Sequence, residues 1–279
     1  MAPLLHDGVA AWPRRRRACA RSSPTATARG ACGCSLDTGL ADAVMPELVP
    51  MVGLPYGLPR ADGPVLPPPG RPGEAETDLW EHVLRVLDLL GDRPSFPLAM
   101  AALLHDVGKP RTVGRTPERY TFYGHEHVGR RLAAEIGERL KLSNDERTRV
   151  EWLVEKHQVL SESRRMRPAK LKMLLVHKGI GELFALHRAD ATASGRDCDH
   201  VDYAERMRAE WAASGELAPP PLLTGNDLID MGIPQGPVYK TLLDKVREAQ
   251  LDRAILQREE AVSLVRRLLA EDNEQTVTH

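Results

Sequence analysis

The stretch Ala99–Pro110, AMAALLHDVGKP, restricts the fold more than any other part of the chain. Leu98–Leu104 is apolar on every side of a helix, which predicts a helix enclosed by other elements rather than one lying on a surface. His105 and Asp106 follow at once, and an unpartnered imidazole and carboxylate are costly in such surroundings. A divalent metal ion is a partner that satisfies both together. Gly108, Lys109 and Pro110 read as the end of that helix: a C-terminal cap, a cation suited to the helix dipole, and a residue that prevents continuation. A second His-Asp dipeptide, His6-Asp7, lies in a stretch without periodicity and reads as tail.

What must enclose this helix is supplied by other helices. From Thr77 onward apolar residues recur at helical spacing. Thr77 or Asp78 can cap a helix with Leu79, Val83, Val86, Leu87 and Leu90 on one stripe, and His82 falls on that stripe. A helix from near Gly124 carries Val128, Leu132, Ile136 and Leu140, with His125 on the apolar face, His127 facing away and Gly129 leaving room for close approach. Ser143 and Glu146 form a capping box ahead of Val150, Leu153, Val154 and His157. Pro168 opens a short helix, and the next places Leu183, Leu186, His187 and Asp190 on one stripe. Tyr203, Met207 and Trp211 mark a helix over 199–213, Thr224 caps a short one ended by Gly232, and two more follow Pro237. Tyr120–Tyr123 reads as a short turn or strand, and no stretch alternates at period two long enough for a sheet. The architecture is therefore all-α.

Outside the helical part, residues 1–44 are rich in Ala, Arg, Ser, Thr and Gly and predict a disordered tail. Its run Arg14–Arg17 reads as a plain basic tail, or as the product of a start codon assigned too far upstream, rather than as a nucleic-acid arm or part of a targeting peptide. Residues 45–76 are crowded with proline and glycine and predict an extended linker, residues 77–218 the main helical domain, and residues 219–279, opened by Pro219–Pro221, a small C-terminal helical extension. No apolar run approaches the roughly 18 residues of a membrane-spanning helix. A net charge of −1 gives no overall pull towards nucleic acid or anionic lipid. Cys19, Cys32 and Cys34 lie in the tail and Cys198 stands alone, which supports neither a disulfide framework nor a four-cysteine zinc site and fits a cytoplasmic setting.

Six polar residues thus share one description: His82, His105, Asp106, His125, His157 and Asp190 occupy the inward faces of five helices. Each alone reads sooner as a satisfied core histidine, or as a capping or arginine-paired aspartate, than as a ligand, but four imidazoles and two carboxylates in one small core exceed what they can pair among themselves. One or two divalent transition-metal ions (manganese, iron, nickel or cobalt) would satisfy them together. Lys109 can neutralise a substrate phosphate or serve only the helix end. Arg111, Arg115 and Arg119 can hold a phosphate or belong to a solvated loop. His187 reads as supporting rather than ligating, and His127, His177 and His200 stay outside the set.

His82, His105-Asp106 and Asp190 in that order resemble the pattern of the HD superfamily of metal-dependent phosphohydrolases, and His125 and His157 resemble the additional ligands of its two-metal members. The motifs MPELVPM, WEHVL, ALLHDVGKP, FYGHEHVG, RLKLSN, LHRADATAS and LTGNDLIDMGIPQGPVYKTLL resemble, in order, the C-terminal HD half of bacterial tRNA nucleotidyltransferases and poly(A) polymerases. The resemblance implies an HD-domain helical bundle over residues 77–218 in which Asp106 is shared between the metals. It also implies catalysis by Asp106, with Lys109 beside it, of phosphoester hydrolysis on nucleotides or RNA ends. The nucleotidyltransferase head has no counterpart: Asp197-Cys198-Asp199 follows a helix and lacks β-branched flanks, so nucleotide transfer is not expected of this chain alone. The rival expectation is an RNA-binding HD body of a split or truncated tRNA nucleotidyltransferase, with tRNA as its partner. A gene fragment without a function of its own is a third.

Overall fold

The computed structural model describes residues 39–55, 78–116 and 120–277; for Leu40, Arg115 and residues 272–277 it describes the backbone alone. The expectations of disorder over residues 1–38, of an extended linker over residues 56–77, of a cap at Thr77 and of a phosphate contact at Arg119 fall outside the described residues. The described part is helical, with one two-residue hairpin as its only ladder. No helix among the described residues is long and apolar enough to cross a membrane.

The chain divides into two units. The first runs to Gln158 and takes in Ala185–Asp197 as well. Its described part begins with a short helix α1 (Leu40–Val44) and a 3-10 helix over Pro46–Met51. Composition alone assigns these residues to a disordered tail and an extended linker, yet Ala41, Leu48 and Met51 are buried. Tertiary contacts decide the matter. Arg139 donates to both carboxylate oxygens of Glu47, at 2.9 and 2.7 Å, and through Nε to the Val44 carbonyl at 3.1 Å. Helix α2 (Leu79–Leu89) is capped by Asp78, which accepts from the Trp80 amide at 2.8 Å and from the Gly53 amide at 2.9 Å, tying the opening segment to the helix.

Helix α3 (Phe96–Leu104) is capped by Ser95, has Pro97 in its first turn, and buries Leu98, Ala101, Ala102, Leu103 and Leu104. It ends where the sequence places the His-Asp pair, but not by the expected device. His105 is the C-terminal cap, and Gly108 keeps an ordinary helical φ of −77°. Pro110 does not stop a helix either, since it sits in the first turn of the short α4 (Lys109–Thr112). Strands β1 (Gly114–Arg115) and β2 (Tyr120–Thr121) pair antiparallel, Gly114 opposite Thr121. Helix α5 (His125–Arg139) starts after Gly124, whose φ of 75° only glycine adopts at little cost, and α6 (Asn144–Lys156) opens with the Ser143–Glu146 capping box. α3 packs against α2 and α6, and α6 against α5, so α3 is enclosed as its sequence requires.

The second unit comprises Val159–Phe184 and the chain from Cys198. It holds a 3-10 helix (Val159–Arg165), α7 (Pro168–Leu175), the start of α8 (Ile180–Ala193), α9 (Asp199–Ala213), α10 (Gly225–Asp230), α11 (Val238–Leu251) and α12 (Arg258–Val277). Leu228, Leu242, Val246, Ala261 and Val265 form the apolar core that joins α10, α11 and α12. Asp252 accepts from the Ala169 amide at 2.8 Å and pairs with Arg167, holding α7 to the end of α11.

Candidate metal centre

All six inward-facing polar residues lie in the first unit and are buried: His82, His105, Asp106, His125, His157 and Asp190. They converge because the backbones of two segments come very close. A methyl group on Gly108 would stand 2.1 Å from the His125 carbonyl oxygen and 2.7 Å from the Gly129 amide nitrogen. The bare glycine lets the His105–Gly108 turn lie directly on the first turn of α5. Gly129 serves the same approach, since a methyl group there would meet Val154 at 3.2 Å and Gly108 N at 3.7 Å.

Asp106 divides its two oxygens between two pairs of imidazoles. Oδ2 faces His105 Nε2 at 3.3 Å and His82 Nε2 at 3.9 Å, and it accepts from Lys109 Nζ at 2.6 Å. Oδ1 faces His125 Nε2 at 3.4 Å and His157 Nε2 at 3.6 Å. Within each pair the two Nε2 atoms are 3.3 Å apart. Asp190 joins the first pair, its Oδ1 3.2 Å from His82 Nε2, and Arg196 donates to its Oδ2 at 3.0 Å.

The ring nitrogens on the far side fix the tautomers. His105 Nδ1 donates to the Ala102 carbonyl at 2.8 Å, His125 Nδ1 to Phe122 at 2.8 Å and His157 Nδ1 to Val154 at 2.7 Å. In the neutral imidazole each Nε2 then carries a lone pair. His125 and His157 therefore point lone pairs at one another and at Asp106 Oδ1, a buried oxygen that accepts no hydrogen bond. Such an arrangement is repulsive by itself and attractive around a cation. His82, His105 and Asp106, and separately Asp106, His125 and His157, each bring three ligand atoms within 4.8 Å of one another, so each group can hold a divalent ion.

The electrostatics agree with that. Burial opposes ionisation of Asp106, but the Lys109 ammonium and then His105 outweigh it and hold the carboxyl well below the usual range. Burial works against Asp190 as well, and His82 and His105 hold it far below its ordinary value. Burial pushes the His157 imidazole down, against the pull of Asp106, so it favours the neutral form that binds metal.

Of the other residues marked from the sequence, Lys109 and His187 adjoin the cluster, while Arg111 and His127 are exposed. Lys109 is buried at 4% exposure, its ammonium on Asp106 and 5.5 Å from the centre of the Phe122 ring, so it is no solvated helix-end cation. Arg111 is exposed on α4, and the Arg115 side chain lies outside the described residues. His127 is 72% exposed, as its position two residues beyond His125 requires. His187 donates through Nδ1 to the His157 carbonyl at 2.6 Å. Sequence reasoning missed Arg196, which reaches Asp190 from a loop with no periodicity to orient it; the turn at Gly195, φ 66°, folds it back.

Residues 79–207 match the HD domain family model. The A-adding tRNA nucleotidyltransferase of Deinococcus radiodurans is 32% identical over 246 residues, which cover 82% of this chain and 52% of that protein. The CC-adding tRNA nucleotidyltransferase of Thermus thermophilus is 31% identical over 230 residues, 80% of this chain and 49% of that protein. The multifunctional CCA protein of Azoarcus sp. is 30% identical over 186 residues, 64% of this chain and 40% of that protein. The chain spans about half the length of the first two of these curated relatives. The chain thus carries an HD domain over residues 79–207 and is homologous to the HD-containing tRNA nucleotidyltransferases.

Proposed function

We propose that this chain is a divalent-metal-dependent phosphohydrolase or phosphodiesterase that acts on nucleotides or RNA ends. The observation that carries the proposal is the division of Asp106 between two pairs of imidazoles whose lone pairs converge. His82, His105, Asp106 and Asp190 would hold one ion, and Asp106, His125 and His157 a second. Bound divalent ions supply the Lewis acidity that activates water and offsets charge on a phosphoryl group.

The chain's own groups do the rest. The Nδ1 bonds of His105, His125 and His157 lock their rings, so little reordering accompanies binding. Lys109 and His125 are the least buried of the clustered groups, at 4% and 5% exposure, and that side is the one we assign to an approaching phosphoester. Lys109 supplies a fixed positive charge there, already held on Asp106 Oδ2, and Arg111 and Arg115 on the adjoining segment are the candidates for a more distant phosphate. Homology to tRNA nucleotidyltransferases supports an RNA substrate, tRNA in particular.

The test is a screen of the purified chain against nucleotides, cyclic nucleotides and RNA ends, with manganese, iron, nickel and cobalt added back singly and Asp106→Ala as the control. Phosphate or alcohol release that needs both the metal and Asp106 is the expected result. A second reading, an RNA-binding HD body of a split or truncated tRNA nucleotidyltransferase, is favoured by the homology to those relatives. It requires tRNA binding that Asp106→Ala leaves intact, with no hydrolysis of any ester in the screen.

A further inference from the structure

We infer that His187 is a positioning residue for the second ion, acting through the backbone of His157. α6 ends at Lys156 and His157 caps it, so the carbonyls of this last turn lack partners within the helix. Two imidazoles take two of the carbonyls at this end. His157 turns its own Nδ1 onto the Val154 carbonyl at 2.7 Å, and His187 places its Nδ1 on the carbonyl of His157 itself at 2.6 Å. Both partners are carbonyl oxygens, so both Nδ1 atoms are donors.

His187 is 1% exposed and lies one turn before Asp190 on α8. One face of α8 therefore serves both halves of the centre: Asp190 reaches the pair of His82 and His105 through its side chain, and His187 fixes the residue that carries the His157 ring. With the His157 carbonyl held, the ring has little freedom beyond its own two torsions, and its Nδ1 bond to Val154 removes that. The Nε2 lone pair is thereby directed at Asp106 Oδ1 and His125 Nε2. Groups that orient a ligand in this way commonly change metal affinity by about 10- to 100-fold when removed.

The inference rests on the two-ion reading of the site and not on hydrolysis, and its test reads bound metal. The full chain is dialysed against Mn2+ as wild type, His187→Asn, His187→Gln and His187→Leu, and the thermal midpoint of each is recorded without metal. Asparagine carries an amide nitrogen close to the place of Nδ1, whereas the glutamine amide reaches the place of Nε2. Wild type and His187→Asn should bind two equivalents. His187→Gln and His187→Leu should keep the first with unchanged affinity and bind the second about tenfold more weakly or worse. Should His187→Leu fail to fold, the Asn and Gln variants decide the matter alone.

A second equivalent held by His187→Gln with wild-type affinity overturns the inference, as does an equal loss in His187→Asn. A wild type that takes one ion overturns it together with the two-ion reading. A wild type that takes two ions and hydrolyses nothing refutes the proposed activity, while the dialysis still decides the role of His187.

Discussion

Gly108 lies so close beneath His125 that a single methyl group on it would stand 2.1 Å from the His125 carbonyl oxygen. The obstructing atoms are backbone and cannot swing aside, so Gly108→Ala must separate the His105–Gly108 turn from α5 and with it Asp106 from His125. A loss of about 3 kcal/mol or more in urea unfolding is expected, at the upper end of overpacking effects. The helical Gly181, where an added methyl group would meet nothing beyond its own helix within 4 Å, provides the contrast. There Gly181→Ala should gain about 0.4 to 1 kcal/mol by reducing the freedom of the unfolded chain.

Lys109 and Asp106 form a buried pair in which each group compensates the other. Removing one partner of such a pair typically costs about 3 to 5 kcal/mol because the other charge is left alone. Lys109→Met should therefore unfold at a clearly lower temperature without metal, and saturating Mn2+ should recover much of the difference by supplying the missing positive charge. Thermal melts with and without the ion check this; a loss that metal does not reduce would mean that Lys109 serves packing instead.

Arg196 is half-exposed, so its bond to Asp190 should contribute only about 1 kcal/mol or less to folding. Its effect on metal should be larger. Arg196→Gln is expected to weaken the ion held by His82, His105, Asp106 and Asp190 by about tenfold and to leave the ion held by His125 and His157 unchanged. Competition dialysis against a chelator separates the two equivalents.

The α6 cap offers a prediction away from the chemistry. Ser143 accepts from the Glu146 amide at 3.3 Å, while Glu146 accepts from the Ser143 amide at 3.0 Å. Ser143→Ala should cost about 1 kcal/mol in urea unfolding and leave metal content intact. Loss of an ion equivalent in this variant would tie the whole helix, and not only its far end, to the centre.

Much of this was legible in the chain because each inward histidine lies on an apolar stripe of period 3.6. His82 follows Leu79, and His157 continues Val150, Leu153 and Val154; the structure places the rings together where those stripes meet. The enclosure of α3 was legible for the same reason. What sequence could not convey depends on partners far along the chain. Gly108 reads as a cap because glycine commonly ends helices, but it answers to the backbone of α5, which no local pattern reveals. Arg196 sits in an aperiodic loop and His187 acts through a backbone carbonyl. Leu40–Val44 and Pro46–Met51 are held by Arg139, some 90 residues on, against their own composition.

The most direct test of a two-ion centre divided by Asp106 is elemental analysis of the purified chain after dialysis against each of manganese, iron, nickel and cobalt. Wild type should hold two equivalents of at least one of these metals. His125→Ala and His157→Ala should each remain folded and hold about one, and Asp106→Ala should lose most of both. A wild type that never exceeds one ion per chain in excess of every candidate metal contradicts the two-ion centre, and so do histidine variants that keep full occupancy.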